Sequence, residues 1–495
     1  MKVGRGICSA IAILFCLAFA GQADAQHVTW NSNGAPTETY VTGGGWTLEQ
    51  AGAAVGLKSA GYCDVNGNQI GNPGTERMQP YYFPHIHGQG NHLQGYFDYR
   101  PKDIDEAVAG AFSDDAGLTW TFQQKVLELT KVCPTTVQKE ADGDKEPLPP
   151  DPNNSDNSGT TGDDGQGHAF VLSIAGHTYL YTLERANGHI DSDDLYIHEL
   201  FPQPGLPLNG APAMNDGPTD VSPAGTPEIP FHTTGLQNPD GILGVVPGSS
   251  PLKVIYEQKI LSGDNTGATA LPASQQCNTF WAGYYANNPF GTAVNDDITH
   301  LRLAETTDGI NFKDDGILLG LNDPTDVTAT GTRWLATAGT ILLLDSGKYG
   351  LLFSGGGCID GDSDAFHYIG YAESSDLIHW TVVNGINNPI VSTAPFTIAV
   401  DPNGVPASGG ANITVPAQKP VVGNTMGWFS GRVYAPSATL FDSQNITVIF
   451  AGYHTQKPKF GLGDYRTIGR VSLHTENSSV AAIGQGGGSG GGSTQ

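Results

Sequence analysis

The sequence has few charged residues, few methionines and a strong excess of one charge sign. Charged residues make up 15% of the 495-residue chain, with 23 basic residues against 49 acidic ones, and there are only 4 methionines. Strong helix formers are therefore not dominant, whereas Gly occurs 67 times and Pro 32 times, which predicts short strands and many turns. A net charge of −26 argues against nucleic acid and anionic membranes as partners and favours neutral or cationic ones.

Long apolar runs are absent beyond the first twenty residues. Lys2 and Arg5 precede an apolar run from Ile11 to Ala20, and the small-x-small pattern Ala23-Asp24-Ala25 follows. The run is too short to span a bilayer, so residues 1–25 are predicted to be a secretory signal peptide, with an uncleaved anchor as the alternative. We expect a secreted protein, periplasmic or extracellular, of 21 basic and 48 acidic residues once Lys2, Arg5 and Asp24 are removed.

Cysteines are scarce after residue 25, and none is spaced as Cys-x-x-Cys. Four remain, an even number that suits disulfides in an oxidising compartment better than a metal site. They allow three pairings, of which Cys63–Cys133 with Cys277–Cys358 closes the shorter stretches and is favoured here.

Phosphate-binding and serine-hydrolase motifs are also lacking. The chain has no Walker loop, no dinucleotide-binding glycine pattern and no Gly-x-Ser-x-Gly elbow, so it gives no support to nucleotide or serine-hydrolase chemistry. One folded unit is expected over residues 26–479, interrupted by a disordered acidic insert at about 138–167. A flexible tail is expected over residues 480–495, where a Gly/Ser string begins at Gly484.

A repeated pattern of paired strands is the most informative feature of the chain. Each repeat starts with an aromatic and β-branched run that ends in polar residues, and a second strand follows it. The first runs are Gly95–Arg100, Tyr179–Arg185, Val254–Lys259, Tyr349–Gly355 and Thr447–His454, and the second strands are Val108–Ser113, Leu195–Leu200, Ile298–Glu305, His367–Glu373 and Arg466–His474. Repeats of a four-stranded unit predict an all-β fold, a five-bladed β-propeller.

Two kinds of short motif carry a resemblance to known families. The turn Ser113–Trp120 fits Ser-x-Asp-x-Gly-x-Thr-Trp and resembles the Asp-box of sialidase-type propellers, with a looser copy at Thr306–Phe312. The turn Ser374–Trp380 and the segment Arg432–Ser437 resemble motifs of the five-bladed arabinanase, xylosidase and fructosidase superfamily. In the second motif Tyr434 stands where those enzymes have Trp.

The resemblance implies a glycosidase fold more firmly than it implies a catalytic set. The fructosidase-type Arg-Asp-Pro motif is nearest to Asn322-Asp323-Pro324 here, and no Glu-x-Pro motif of the second kind is well placed. Since fold alone does not assign function, the catalytic residues are predicted from where the strands of each repeat end.

Strand ends of several repeats are expected to meet at one face of a propeller. Carboxylates converging there suit glycoside hydrolysis, which needs one carboxylic acid and one carboxylate about 5–9.5 Å apart. We predict Asp98 as base or nucleophile and Glu257 as acid, with Glu184 as the next candidate. Residues predicted to bind substrate are Arg100, Asp240, Arg333, Arg432, His454 and Trp281.

Two further groups bear on metal content, which the sequence leaves unknown. His85 and His87 should share one face of a strand, but no third metal ligand is evident from spacing, and core histidines are the commoner case. The loop Asp360–Asp364 alternates carboxylates, so a structural Ca²⁺ is possible although no cofactor is required. The predicted function is a secreted glycoside hydrolase acting on a poly- or oligosaccharide; the alternative is a non-catalytic propeller that binds a glycan or a protein.

Overall fold

The computed structural model describes residues 27–42, 62–63, 69–70, 81–99, 107–128, 165–185, 193–201, 213–214, 233–237, 239–259, 299–321, 335–357, 366–385, 388–393, 396–400, 411–415, 428–429, 432–453 and 466–484. Within these ranges the chain forms strands and turns and no helix, as the composition predicted. It follows that no helix among them has the length and apolar character to cross a membrane.

The strands are numbered in chain order. They are β1 Asn31–Ser32, β2 Thr37–Thr42, β3 Tyr62–Cys63, β4 Gln69–Ile70, β5 Tyr81–Gln89, β6 His92–Tyr99, β7 Ala107–Ser113, β8 Thr119–Glu128, β9 Gly165–Ile174, β10 His177–Arg185, β11 Asp193–Phe201, β12 Ala213–Met214, β13 Pro239–Val245, β14 Leu252–Lys259, β15 Thr299–Thr306, β16 Phe312–Ile317, β17 Leu335–Leu344, β18 Tyr349–Gly357, β19 Tyr368–Ser374, β20 Thr381–Asn384, β21 Val391–Ser392, β22 Phe396–Val400, β23 Ala411–Val415, β24 Arg432–Leu440, β25 Asn445–Tyr453, β26 Arg466–His474 and β27 Val480–Ile483.

Consecutive strands pair antiparallel into meanders. The first sheet is β5–β8, the second β9–β12, the third β13–β16 and the fourth β17–β20, which β27 extends at β17. The fifth is β24–β26 with β1 and β2 on the edge of β26. The strand runs predicted from sequence fall in β6, β10, β14, β18 and β25, and the strands after them in β7, β11, β15, β19 and β26, except for the single end residues Arg100, Ile298, His367 and His454.

The first and fifth sheets join edge to edge. β24 runs parallel to β5 at Leu440 and Gln89, and β2 runs parallel to β8 over Tyr40–Thr42. Together with the β25–β26 pairing, these contacts link eight strands into a closed hydrogen-bonded ring in the order β26-β2-β8-β7-β6-β5-β24-β25.

The first strands of the sheets also contact one another in sequence and back to the start. β5 contacts β9, β9 contacts β13, β13 contacts β17, β17 contacts β24, and β24 contacts β5. Side chains reinforce some of these contacts, because the Ala438 amide donates to Thr340 Oγ1 at 2.7 Å and the Ile86 amide donates to Ser437 Oγ at 3.0 Å. A register shift lies in each of the five first strands, near these contacts.

Apolar clusters fill the spaces between neighbouring sheets. They are centred on Tyr96 and Val171 (first and second sheets), Tyr181 and Tyr256 (second and third), Ile255 and Phe353 (third and fourth), Leu352 and Phe450 (fourth and fifth), and Phe97 and Ile449 (first and fifth). A strand has two faces, so a sheet packed on both sides alternates between two clusters along its sequence. Tyr96 and Phe97, adjacent in β6, show this directly.

The turns singled out in the sequence are closed by their own side chains. Asp115 accepts bonds from the Thr119 amide (2.8 Å) and hydroxyl (2.6 Å), and Trp120 is fully buried. In the other two turns Asp308 accepts from the Asn311 amide at 2.8 Å and Asp376 from the His379 amide at 2.7 Å. The hydrogen bonds that Asp376 accepts lower the pKa of its carboxyl group, and the bond from the His379 amide is the main cause. Their classification as Asp-boxes remains a prediction.

Strand β27 lies beyond the predicted domain boundary at residue 479. Val480–Ile483 form β27 and pair with Leu342–Leu344 of β17, so these residues belong to the fourth sheet rather than to a flexible tail. Likewise β9 begins at Gly165, just inside the predicted acidic insert. The other residues of the insert, the signal segment and the part of the Gly/Ser string after Gly484 lie outside the described residues.

Candidate functional site

The three predicted catalytic carboxylates occupy matching positions in the first three sheets. Each lies within the last three residues of the second strand of its sheet: Asp98 in β6, Glu184 in β10 and Glu257 in β14. Across the sheet they face the early part of the first strand, at Tyr82, Gly165 and Gly241 respectively. The antiparallel register therefore brings the end of each of these second strands next to the start of the first strand of its own sheet.

Glu257 is the one of the three whose side chain lies within the described residues. It is 5% exposed, and it shares a face of β14 with Ile255, which packs in the cluster between the third and fourth sheets. Burying a carboxyl group at a strand end requires hydrogen-bonding or charged partners. The side chains of Asp98 and Glu184 lie outside the described residues.

Arg432 begins the first strand of the fifth sheet and is only 1% exposed. Its Nη1 donates to the Tyr434 hydroxyl at 3.0 Å, and the Tyr434 ring meets Phe366 edge to face with centroids 5.4 Å apart. The next residue, Ala435, has a φ of 46°, within the register shift of the β24–β25 pairing. The Arg432 guanidinium is thus held by the protein in this structure, and its predicted contact with substrate remains a prediction.

Two residues near Arg432 were missed by sequence reasoning. Phe366 and His367 immediately precede β19; the Phe366 carbonyl accepts from the Val433 amide at 3.0 Å, and the His367 side chain is fully buried. The sequence had assigned His367 only to a strand start. His367 and Arg432 are thus both buried, and a fully buried arginine is uncommon in proteins.

The other predicted site residues fall mostly outside the described part. Asp240 lies in β13 between Pro239 and Gly241, and Cys63 lies in β3, but their side chains are not among those described. The remaining residues lie outside the described residues altogether: Arg100, Arg333, His454, Trp281, Cys133, Cys277, Cys358 and the Asp360–Asp364 loop. The disulfide pairing and the Ca²⁺ site therefore stay predictions.

Ionisable side chains also meet between the first and second sheets. The rings of His85 and His87 share one face of β5, as predicted, with centroids 4.6 Å apart. His85 Nε2 lies 3.2 Å from the Val171 carbonyl oxygen on β9, and burial raises the pKa of the neighbouring Tyr96. Among the described side chains no set of three or more histidine, cysteine or acidic groups is arranged to hold a metal ion.

Comparison with known proteins finds similarity in structure alone. No protein-family model matches the chain, and no curated protein matches it. Among solved structures, a thermostable family-43 glycoside hydrolase aligns over 83% of this chain and 95% of its own, at 12% identity and a TM-score of 0.42. An α-L-arabinofuranosidase from Podospora anserina in complex with cellotriose aligns over 89% and 97%, at 12% identity and a TM-score of 0.39. An α-L-arabinanase from Penicillium chrysogenum complexed with arabinobiose aligns over 85% and 97%, at 11% identity and a TM-score of 0.36.

Proposed function

We propose that the chain is a five-bladed β-propeller whose blades are the five sheets defined above. The proposal is supported by the closed sequence of contacts among β5, β9, β13, β17 and β24, and by an apolar cluster between each neighbouring pair of sheets. Radial packing of four-stranded sheets on both faces is what distinguishes a propeller from a sandwich, in which each sheet buries one face.

On this fold we propose a secreted glycoside hydrolase that cleaves a poly- or oligosaccharide. The observation that carries the proposal is the recurrence of an acidic residue at the end of the second strand in three consecutive sheets, Asp98, Glu184 and Glu257. Strand ends of neighbouring blades surround one mouth of a propeller, where a sugar chain has access to side chains from several blades. Carboxyl groups facing one another there are what glycosidic bond cleavage requires.

The proposed roles follow from the environment of each carboxyl group. Glu257, which is shielded from solvent, would protonate the oxygen of the departing sugar. Asp98 would act on the opposite side of the sugar ring, as the nucleophile or as the base that activates water, and Glu184 would replace it if the spacing favours the second sheet. Arg432 and Asp240 are proposed to help orient the sugar, and a Ca²⁺ at Asp360–Asp364 would be structural.

The test is a reducing-sugar assay on plant and bacterial glycans with wild type, Glu257→Gln and Asp98→Asn. We expect each substitution to lower kcat by about 10²–10⁴-fold, the usual contribution of a positioned acid or base. Glu305→Gln is the matched control, since Glu305 pairs with the exposed Lys313 on the third sheet. If wild type releases no sugar but still binds a glycan in a pull-down, the non-catalytic reading of the fold replaces this one.

A further inference from the structure

The first described residues of the chain, His27–Asn33, form a short arm lying across the fourth and fifth sheets. Asn31 and Ser32 pair antiparallel with His474 and Leu473 of β26, and the Asn33 amide donates to the Ser472 carbonyl at 2.9 Å. The arm thus adds a strand segment to the part of the β26 edge that β2 leaves unpaired, which is the geometry used in peptide recognition by strand addition.

The head of the arm is held by a buried carboxylate on the fourth sheet. Glu373 is 4% exposed; its Oε1 accepts from the Val28 amide at 2.7 Å, and its Oε2 lies 2.9 Å from His27 Nδ1. Lys348 Nζ reaches the same Oε2 at 3.3 Å. Without the arm, Glu373 would lose two of these three partners, and a buried carboxylate that loses its partners is strongly destabilising.

The segment near the other end of the chain completes the site. Asn477 accepts from the Thr29 amide at 3.0 Å through Oδ1 and donates to the His27 carbonyl at 2.7 Å through Nδ2. Because these two bonds involve one backbone donor and one backbone acceptor, Asn477 recognises the arm as an extended peptide, whatever its side chains. Thr475 Oγ1 donates to the same Oδ1 at 2.9 Å, which fixes the amide in place.

Alternate side chains of the arm point into the apolar cluster between the fourth and fifth sheets. Val28 is 2% exposed and Trp30 is 7% exposed, and the Trp30 ring meets Tyr371 edge to face with centroids 5.8 Å apart. Backbone bonds together with pockets for every second side chain are the two components of affinity and specificity in strand addition.

The link between the arm and β2 contributes no packing of its own. Gly34 and Ala35 are exposed, and Gly34 has a φ of 97° with no atom within 4 Å of the position a Cβ would occupy. The contacts that hold the arm are therefore confined to residues 27–33, and the link acts as a tether that raises the effective concentration of the arm at its site.

We propose that the arm, His27–Asn33, is a detachable peptide ligand carried by the chain itself. It binds to a site formed by Glu373, Asn477, Tyr371 and the edge of β26, and it closes the joint between the fourth and fifth sheets. The arm occupies this site within its own chain because the link tethers it there. Once the link is cut, the site should bind a separate peptide of the same sequence. The inference does not depend on the proposed hydrolase function.

The experiment cuts the tether after folding. A protease site inserted between Gly34 and Ala35 is cleaved in the folded protein, and a fluorescein-labelled peptide of residues 27–33 is then added and followed by anisotropy. We expect the nicked protein to exchange its arm for the labelled peptide, and the uncut protein to bind that peptide at least tenfold more weakly. A peptide carrying Val28→Asp and Trp30→Ala should bind neither the nicked nor the uncut protein. Glu373→Ala in the nicked protein should weaken peptide binding at least tenfold, whereas Glu305→Ala, the same charge change on the surface, should not.

A second measurement uses a chain that begins at Gly34, whose melting temperature should fall and recover on adding the unlabelled peptide in excess. If this chain does not fold, the nicked protein still carries the test. The proposal is overturned if the nicked protein loses its arm on gel filtration with no change in melting temperature, if the substituted peptide binds as well as the native one, or if Glu373→Ala leaves binding unchanged.

Discussion

At the scale of single residues, His85 and His87 form the most unusual ionisable pair in the described part of the protein. Burial lowers the pKa of His87 to about 4, and burial together with the nearby His87 lowers the pKa of His85 well below its usual value. His87 Nε2 is buried with no hydrogen-bond partner, and no described acidic side chain bonds either ring. Tyr96 is the titratable group that faces the pair from β6, where its ring lies 5.7 Å from that of His87.

This pair predicts a loss of stability in mild acid. Imidazoles of the unfolded chain titrate near 6.5, so the unfolded state binds more protons than the folded state between about pH 6.5 and about pH 4. The free energy of unfolding should therefore fall by about 1–3 kcal/mol as the pH drops through that window, measured by urea unfolding at pH 7 and pH 4.5. His85→Gln with His87→Phe should flatten the dependence.

His92→Gln is the control for that prediction, because His92 belongs to the same hairpin but lies exposed and 2.8 Å from Asp114. It should leave the pH dependence as in wild type. An equal acid loss in the His85→Gln/His87→Phe protein would show that other groups cause it.

At the scale of elements, β17 packs so closely against β18 and β24 that Gly339 has no room for a Cβ atom. A Cβ there would lie 2.2 Å from the Pro436 carbonyl oxygen of β24 and 2.9 Å from the Leu352 carbonyl oxygen of β18. Both obstacles are backbone atoms of hydrogen-bonded strands, which cannot move aside as a flexible side chain would. We expect Gly339→Ala to lower the free energy of unfolding by about 3 kcal/mol, measured by urea unfolding.

Gly347→Ala separates crowding from backbone conformation. Gly347 lies in the turn after β17 with a φ of 80° and no atom within 4 Å of the Cβ position, so alanine should cost only about 1–2 kcal/mol of conformational strain. Equal losses in the two variants would mean that β17 and β24 are less closely packed than the structure has them.

The second strands of the sheets could be predicted from sequence, whereas the first strands could not be placed in detail. β14 contains the run Val254–Tyr256 and β25 the run Ile446–Phe450, each made of β-branched and aromatic residues, the pattern that a strand buried on both faces requires. β17 and β24 contain Gly339 and Pro436 at their register shifts, and such irregularities interrupt the periodicity on which a sequence reading depends. The short strand β27 escaped notice because its pairing partner, β17, is more than a hundred residues away.

The candidate site shows the same division. The positions of Asp98, Glu184 and Glu257 follow from strand ends and an antiparallel register, which local sequence determines. The contact of Tyr434 with Phe366 and the contact of Glu373 with Val28 depend on which sheets and segments become neighbours in the folded chain. No local pattern carries such information, because the partners lie far apart in the chain.

At the scale of the whole molecule, segments near both ends of the described chain meet at the joint between the fourth and fifth sheets. β27 pairs with β17, the Val480 amide donates to the Ser443 carbonyl at 2.8 Å, and Asn477 holds His27. The first sheet pairs directly with the fifth. The two terminal segments of the described chain lie at the next contact, the one between the fourth and fifth sheets, and both add hydrogen bonds there. A net charge of −26 opposes this compact state by self-repulsion, so links that span joints matter more.

The predicted bridge Cys277–Cys358 is a link of this kind. Cys277 lies in the segment between β14 and β15 of the third sheet, and Cys358 directly follows β18 of the fourth, so the two segments leave their sheets at the ends of the second strands. The bridge would close a loop of about 80 residues and stabilise the fold by about 4–5 kcal/mol in the chain-entropy account. Cys63 precedes the first sheet in the chain, so its bridge to Cys133 would not span the joint between the third and fourth sheets.

We therefore expect Cys277→Ser to lower the melting temperature, and any glycosidase activity, more than Cys63→Ser does. Peptide mapping of the non-reduced protein by mass spectrometry checks the pairing itself, and a Cys277 peptide joined to Cys63 or Cys133, or left free, would contradict it.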